Sequence, residues 1–380
     1  MSDPADNTPD DASDDPTGGT GAGAGPLRRH VQVYRTARSA HLERARAIGD
    51  VTLLYRTRRG DFDLGLLAGL DVRQVGPWEV ARLLLTSRPD TVEVNEPLML
   101  PAAPTAWVAM TAARLGARLR RRRVRVVSYA IENRDPRRPV PTGPGARLRH
   151  GLQVLAARST ARGLDRLAFG TPGAEALYRE VVDRPAVRGA TAAIPALPAP
   201  CDCPVLGQDP NSVLFLGSLE PRKGFDLLAA AWPAVAAATG ASLTVVGSGP
   251  LAPAAAELAG RVPGVRVVAD ASRARVHEEL RRAEVLVLPS QPARRWREQV
   301  GLPLVEGWAH GCRLVATEET GIAAELRAGG HVVVPADGDP ATVSDAVLQA
   351  LGQDRDAADV LAALPAEDGR AAADRWLTAP

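Results

Sequence analysis

The sequence predicts an α/β protein built from two doubly wound, parallel-sheet domains. Three observations carry that expectation. Short apolar runs such as Val285-Leu286-Val287-Leu288 recur along the chain and close in Gly, Pro, Ser or Asn, as buried parallel strands do. Longer Ala-rich or amphipathic stretches lie between them, the alternation expected of crossover-linked strands. The chain has 380 residues with 45% hydrophobic content, more than one core usually organises, so two domains are expected.

Composition narrows the partners. A net charge of +2 gives no gross polyelectrolyte character. Three cysteines, Cys201, Cys203 and Cys312, form no even disulfide framework and no C-x₂-C metal pattern. Cys201-x-Cys203 reads as two incidental thiols, and a reducing cytosol suits them. The N-terminus is acidic with no apolar stretch, so no signal peptide is expected. No apolar run reaches bilayer length. The chain is therefore expected in the cytoplasm. Of 46 Lys and Arg residues, Lys223 is the only lysine, which singles it out in an arginine-biased chain.

Taken in order, residues 1–26 lack apolar periodicity and read as a disordered acidic tail. The first domain is assigned to residues 27–190. Its strands are expected at 31–34, 51–55, 72–75, 91–94, 124–129 and 164–171, and its helices at 39–48, 78–86, 105–119 and 175–182. Ligands of such sheets sit beyond the carboxyl ends of the strands. Glu96 falls at one such end and Glu132-Asn133 at another, which makes them acceptor-side candidates or edge caps. Arg114, Arg118, Arg120, Arg121, Arg122, Arg123 and Arg125 form a basic cluster. It reads as a solvated face or as a contact to an anionic membrane surface, where each charge adds about 1 kcal/mol. Nucleic acid is not expected, since no aromatics interleave the arginines and no helix-turn-helix or zinc pattern appears. Residues 191–204 are Pro-rich and read as a linker.

The second domain is assigned to 205–365, with strands at 212–216, 241–246, 265–268, 285–290, 313–317 and 332–334. A last helix in 366–380 follows. The first strand runs into Gly217-Ser218-Leu219-Glu220-Pro221-Arg222-Lys223-Gly224. A glycine there lets backbone approach a phosphate, and a cation in the same loop neutralises it. The second strand opens into Gly247-Ser248-Gly249. The strand at 285–290 leads to Glu298-Gln299-Val300-Gly301-Leu302-Pro303-Leu304-Val305-Glu306. Pro303 suits the first turn of a helix, so Glu298 is expected in a loop and Glu306 in the helix after it. The N–H groups of that helix start favour a phosphate. No Ser-His-Asp or H-E-x-x-H arrangement competes, and the six histidines are scattered.

The Glu298-to-Glu306 stretch and the Gly217-to-Gly224 loop resemble the E-x₇-E region and the G-R-L-x₃-K-G loop of retaining glycosyltransferases of the GT-B fold, family 4, the glycosyl transferases group 1. The resemblance implies two Rossmann-like domains facing a cleft, with the last helix returning to the first domain. It implies a nucleotide-diphosphate sugar as donor, a glycan, lipid-linked or small-molecule acceptor, and no metal or other cofactor. In the family the first Glu contacts the donor sugar and the second the ribose, which carries over to Glu298 and Glu306. Lys223 would hold the diphosphate. Gly217, Ser218, Arg222, Gly247, Val300, Gly301 and Leu302 complete the implied donor set. The chain departs from the family in four places. Ser218 stands where the loop has arginine, Val300 where an aromatic is usual, Glu132 where the acceptor loop carries histidine, and Tyr34-Arg35-Thr36-Ala37 where a glycine-rich loop is usual. These departures support a competing expectation, a non-catalytic nucleotide-sugar-binding or scaffold protein on the same fold.

Overall fold

The computed structural model describes residues 25–59, 62–138, 142–182, 189–203, 207–293 and 296–379. Most of the acidic tail expected at 1–26 lies outside them. The chain divides into two units. Unit 1 holds the residues up to Phe169, Glu175–Ala192 and those from Asp374 onward; unit 2 holds Gly170–Ala174 and Ala193–Ala373.

Unit 1 alternates strands and helices: β1 (His30–Ala37), α1 (Ser39–Ile48), β2 (Val51–Arg58), β3 (Asp71–Gln74), α2 (Pro77–Thr86), β4 (Thr91–Val94), α3 (Ala103–Leu119), β5 (Arg125–Ala130), α4 (Pro144–Gly163), β6 (Arg166–Phe169), α5 (Pro172–Val182) and β7 (Ala190–Ala193). The sheet order is β3-β2-β1-β4-β5-β6-β7, and β1 to β6 pair in parallel. Helices cover both faces, so the central strands carry apolar side chains on each: Val31, Val33, Leu53, Leu54, Val92 and Val94 are buried. A polar network crosses this interior. Arg44 meets Glu93, Asp374 and the Tyr34 hydroxyl, and Gln32 Nε2 donates to Glu93 at 3.1 Å. Burial opposes the Arg44 charge, but Glu93, Tyr34 and Asp374 hold its pKa well above the ordinary value.

Unit 2 repeats the plan with β8 (Ser212–Leu216), α6 (Phe225–Thr239), β9 (Ser242–Val246), α7 (Ala252–Arg261), β10 (Val265–Val268), α8 (Arg273–Arg282), β11 (Val285–Leu288), α9 (Leu302–Ala309), β12 (Arg313–Thr317), α10 (Ala323–Ala328), β13 (Val332–Val334), α11 (Pro340–Leu351) and α12 (Ala357–Ala362); α13 (Gly369–Thr378) ends the chain. Its sheet order is β10-β9-β8-β11-β12-β13, parallel throughout. Phe215 of β8 meets Phe225 of α6 edge to face, with centroids 5.1 Å apart. Trp232 and Trp308 fill the core between helices and sheet.

Both sheets share one consequence. The first strand of each lies beside a strand reached only after two others, and the direction of winding reverses between them. Such a switch point opens a crevice at the strands' carboxyl ends. In unit 2 it falls between β8 and β11, and in unit 1 between β1 and β4. Two elements were not expected from sequence, the 20-residue α4 and the short β7. The stretch read as a linker from 191 thus begins inside β7. The helix after Glu298 starts at Leu302, with Gly301 as its cap and Pro303 in its first turn as expected.

Candidate functional site

The loops after β8 and β11 meet at the unit 2 switch point. The first carries Lys223 in a single 3₁₀ turn, Pro221–Lys223, and the second carries Glu298. The Lys223 ammonium donates to Glu298 Oε2 at 2.5 Å, and the Ser290 hydroxyl donates to the same oxygen at 2.9 Å. Glu298 is buried. Burial pulls the Lys223 pKa down, and Glu298 partly restores it. The approach of the two loops depends on Gly224. Its φ is +70°, and a Cβ there would lie 1.9 Å from the Pro289 carbonyl oxygen at the end of β11. Only glycine allows that contact.

Trp296 forms an aromatic floor beneath the cations. The Arg222 guanidinium carbon lies 4.6 Å and the Lys223 nitrogen 4.9 Å from its ring centroid. Arg222 also forks onto Glu220, with Nε to Oε2 at 2.6 Å and an NH2 to Oε1 at 2.9 Å. Burial would raise the Glu220 carboxyl pKa, but Arg222, Ser218 and Lys223 hold it below the ordinary value. Ser218, where the resembling loop has arginine, thus bonds an acid that a neighbouring arginine already neutralises. Gly217 follows β8 directly. Gly247, after β9, packs on it so closely that a Cβ would lie 1.9 Å from the Gly217 carbonyl oxygen.

The loop from Glu298 to α9 is pinned from the next strand. The Thr320 hydroxyl donates to the Val300 carbonyl at 2.7 Å, and Gly321 N–H reaches the carbonyls of Glu298 and Gln299 at 3.1 Å. Thr317 donates to the Ser290 carbonyl. Val300 is buried, while Leu302 at the helix start is half-exposed. Glu306 lies about one turn further along α9, and Arg273 of α8 donates to its Oε1 at 2.5 Å. Of the residues expected on the donor side, Gly217, Lys223, Gly247, Glu298 and the start of α9 therefore line adjoining strand ends. Glu306 is held in a separate pair. Sequence reasoning missed Trp296, Ser290 and the role of Arg273. The scarcity of aromatics, 4% of the chain, is the one signal that marked Trp296.

In unit 1, Glu96 after β4 accepts from the backbone N–H of Ile131 and Glu132 after β5, at 2.9 Å each. Glu132 Oε1 accepts from Arg134 N–H at 3.0 Å. Burial, then the adjacent Glu132, push the Glu96 carboxyl up to about 8, although the two N–H groups and the Tyr178 hydroxyl oppose the rise. Glu96, Glu132 and Asn133 thus converge beside the switch-point strands of this unit.

Residues 210–353 match the family model described as Glycosyl transferases group 1. A search of the curated proteins finds no match. Among solved structures the chain is similar to Anabaena HepE in complex with UDP, at 13% identity and a TM-score of 0.62, covering 91% of this chain and 95% of that one. It is similar to the lipopolysaccharide outer core galactosyltransferase WaaB, at 12% identity and a TM-score of 0.58, covering 88% and 94%. It is also similar to a UDP-forming α,α-trehalose-phosphate synthase from Burkholderia xenovorans, at 16% identity and a TM-score of 0.55, covering 89% and 93%. The two-unit α/β architecture is the GT-B glycosyltransferase fold of these neighbours.

Proposed function

We propose that this chain is a retaining glycosyltransferase of the family 4 kind that takes its sugar from a nucleotide-diphosphate donor held by unit 2. The observation that carries the reading is the Lys223–Glu298 pair across the switch point, inside the segment that matches the family model. The ammonium is held on the carboxylate over the Trp296 ring. A bound diphosphate would draw Lys223 toward the phosphates, freeing Glu298 to accept hydrogen bonds from sugar hydroxyls. As the C1–O bond breaks, its electron pair leaves on the diphosphate, while an acceptor hydroxyl bonds to C1 on the same face and its proton passes to the departing phosphate oxygen. Lys223 and the N–H groups at the start of α9 stabilise that charge. Glu306, oriented by Arg273, takes the ribose hydroxyls. The lysine supplies the charge a divalent cation would otherwise bring, so the reading needs no metal in the reaction.

HepE was solved in complex with UDP and the trehalose-phosphate synthase is UDP-forming, so UDP and UDP-sugars are the first donors to test. Glu96, Glu132 and Asn133 serve the acceptor, a glycan, a lipid-linked sugar or a small molecule. An anionic membrane surface is supported by exposed Arg118, Arg121 and Arg123, and by Leu148, Leu152 and Leu155, each more than half exposed on α4. Such basic and apolar groups together suit a leaflet surface. Arg114, Arg120, Arg122 and Arg125 of the same cluster instead have partners within unit 1. Among the described residues no helix is long and apolar enough to cross a membrane.

The Glu220 pair with Arg222 and Ser218 favours a second reading. It leaves the donor loop with little free positive charge, which suits a protein that binds a nucleotide sugar without turning it over. Release of nucleoside diphosphate from a panel of nucleotide sugars, with wild type and Glu298→Gln, separates the two. Turnover that falls about a hundredfold in the variant, with the product keeping the donor's anomeric configuration, supports transfer. Binding without turnover on any donor and acceptor pair supports the second reading.

A further inference from the structure

Away from the Lys223–Glu298 pair, four side chains of unit 2 converge. Cys201 and Cys203 lie in the extended segment before β8, His277 on α8 and His310 at the end of α9. One donor atom from each lies within 4.8 Å of all the others. Cys203 Sγ is 3.4 Å from His277 Nδ1, and that nitrogen is 3.0 Å from His310 Nε2. The two Sγ atoms are 2.7 Å apart. Both cysteines are free thiols, and 2.7 Å is well beyond the roughly 2.05 Å of a disulfide.

The donor chemistry is selective. His310 Nδ1 lies 2.7 Å from the Glu306 carbonyl oxygen. A carbonyl only accepts, so Nδ1 carries the proton and Nε2 presents its lone pair to the cluster. That is how a metal-binding histidine is oriented by an outer partner. Two thiols and two imidazoles in a tetrahedral arrangement suit zinc, whereas calcium and magnesium require oxygen ligands. Zn–S near 2.3 Å and Zn–N near 2.05 Å place tetrahedral donors about 3.8 Å (S–S), 3.6 Å (S–N) and 3.4 Å (N–N) apart. The Cys203–His277 distance of 3.4 Å and the His277–His310 distance of 3.0 Å are within a few tenths of an ångström of those values, and the remaining donor pairs lie within 4.8 Å. The sulfurs need only separate by about 1 Å, a modest χ1 rotation in an extended segment.

We propose that Cys201, Cys203, His277 and His310 form a structural zinc site of the Cys₂His₂ type. Zn²⁺ binds two thiolates and two neutral imidazoles, two thiol protons leave to solvent, and the site is neutral. The ion ties residues 201–203 to α8 and α9, beside the Cys201 N–H bond to the Ala309 carbonyl at 2.8 Å. It also fixes the two helices that carry Arg273 and Glu306. The four ligands come from three chain segments, so the site forms only in folded unit 2.

The test uses the tag-free full chain, kept reduced, stripped with a chelator and titrated with Zn²⁺ against a metallochromic competitor. The expected result is about one zinc per chain. Cys203→Ser and His277→Ala should each weaken binding by more than the roughly 10–100-fold that losing an outer partner costs. Co²⁺ in the wild-type chain should give the intense visible bands of a tetrahedral site with thiolate charge transfer. Zn²⁺ should shield Cys201 and Cys203, identified by peptide mass, from alkylation. These two readouts need no variant to fold. A weak octahedral cobalt spectrum, unchanged alkylation, or binding that both substitutions leave intact would overturn the site. So would a Cys201–Cys203 disulfide in protein isolated without reductant that takes up no zinc once reduced.

Discussion

Replacing Glu96 by Gln should change how stability depends on pH. Glu96 is buried beside Glu132 and pushed up to about 8, against an ordinary value of 4.5. Between those values the folded chain holds a proton that the unfolded chain has released. The stability this group contributes is therefore complete below pH 4.5 and is lost as pH rises to 8. The window from 4.5 to 8 is about 3.5 pH units, and at roughly 1.4 kcal/mol per unit it amounts to on the order of 5 kcal/mol. A glutamine has the same shape and accepts the Ile131 and Glu132 N–H groups without titrating. Calorimetric melting of wild type and Glu96→Gln across pH 4 to pH 9 reads Glu96 together with its coupling to Glu132 and Tyr178, while titrations elsewhere in the chain are common to both. The difference in Tm should move in favour of the variant as pH rises, by roughly 10–20 °C in all at about 2–4 °C per kcal/mol. A difference independent of pH would refute the reasoning, and so would one that moves in favour of wild type.

Other perturbations follow from the same geometry. Arg44→Ala strands the Glu93 and Asp374 carboxylates inside unit 1 and should cost about 3–5 kcal/mol, read from chemical denaturation. Gly224→Ala places a Cβ against the Pro289 carbonyl in a left-handed conformation that itself costs about 1–2 kcal/mol; it should lower Tm and abolish nucleotide binding together. Turnover should be unchanged when Mg²⁺ and Mn²⁺ are omitted from the assay, since Lys223 carries the charge; a requirement for either would contradict the proposed chemistry.

The sequence made the sheets legible because strands buried on both faces appear as uninterrupted apolar runs, as in Ser212–Leu216 and Val285–Leu288. The helix α4 was not, because Leu148, Leu152 and Leu155 face solvent and arginines and glycines interrupt the pattern. A stripe with no core to cover gives no core signal. The strand β7, Ala-Thr-Ala-Ala, lacks the β-branched density of the others and adjoins a Pro-rich segment. Lys223 and Glu298 were legible as candidates from uniqueness and spacing, but their contact was not, since 75 positions separate them. Trp296 and the cysteine–histidine cluster could not be assigned a role for the same reason: only the fold brings those segments together. The arginine cluster was legible only as a group, since the fold turns Arg114, Arg120, Arg122 and Arg125 to partners within unit 1 and leaves Arg118, Arg121 and Arg123 exposed.

The central claim is that the Lys223 loop and the Glu298 loop together hold a nucleoside diphosphate. Isothermal titration of UDP, GDP and ADP into wild type and Lys223→Ala tests it most directly. The account predicts that one nucleotide binds wild type and that the variant loses about 3 kcal/mol, roughly a hundredfold in Kd, while circular dichroism remains native. Equal affinity in both proteins, or no binding of any nucleotide to the folded wild type, would contradict it.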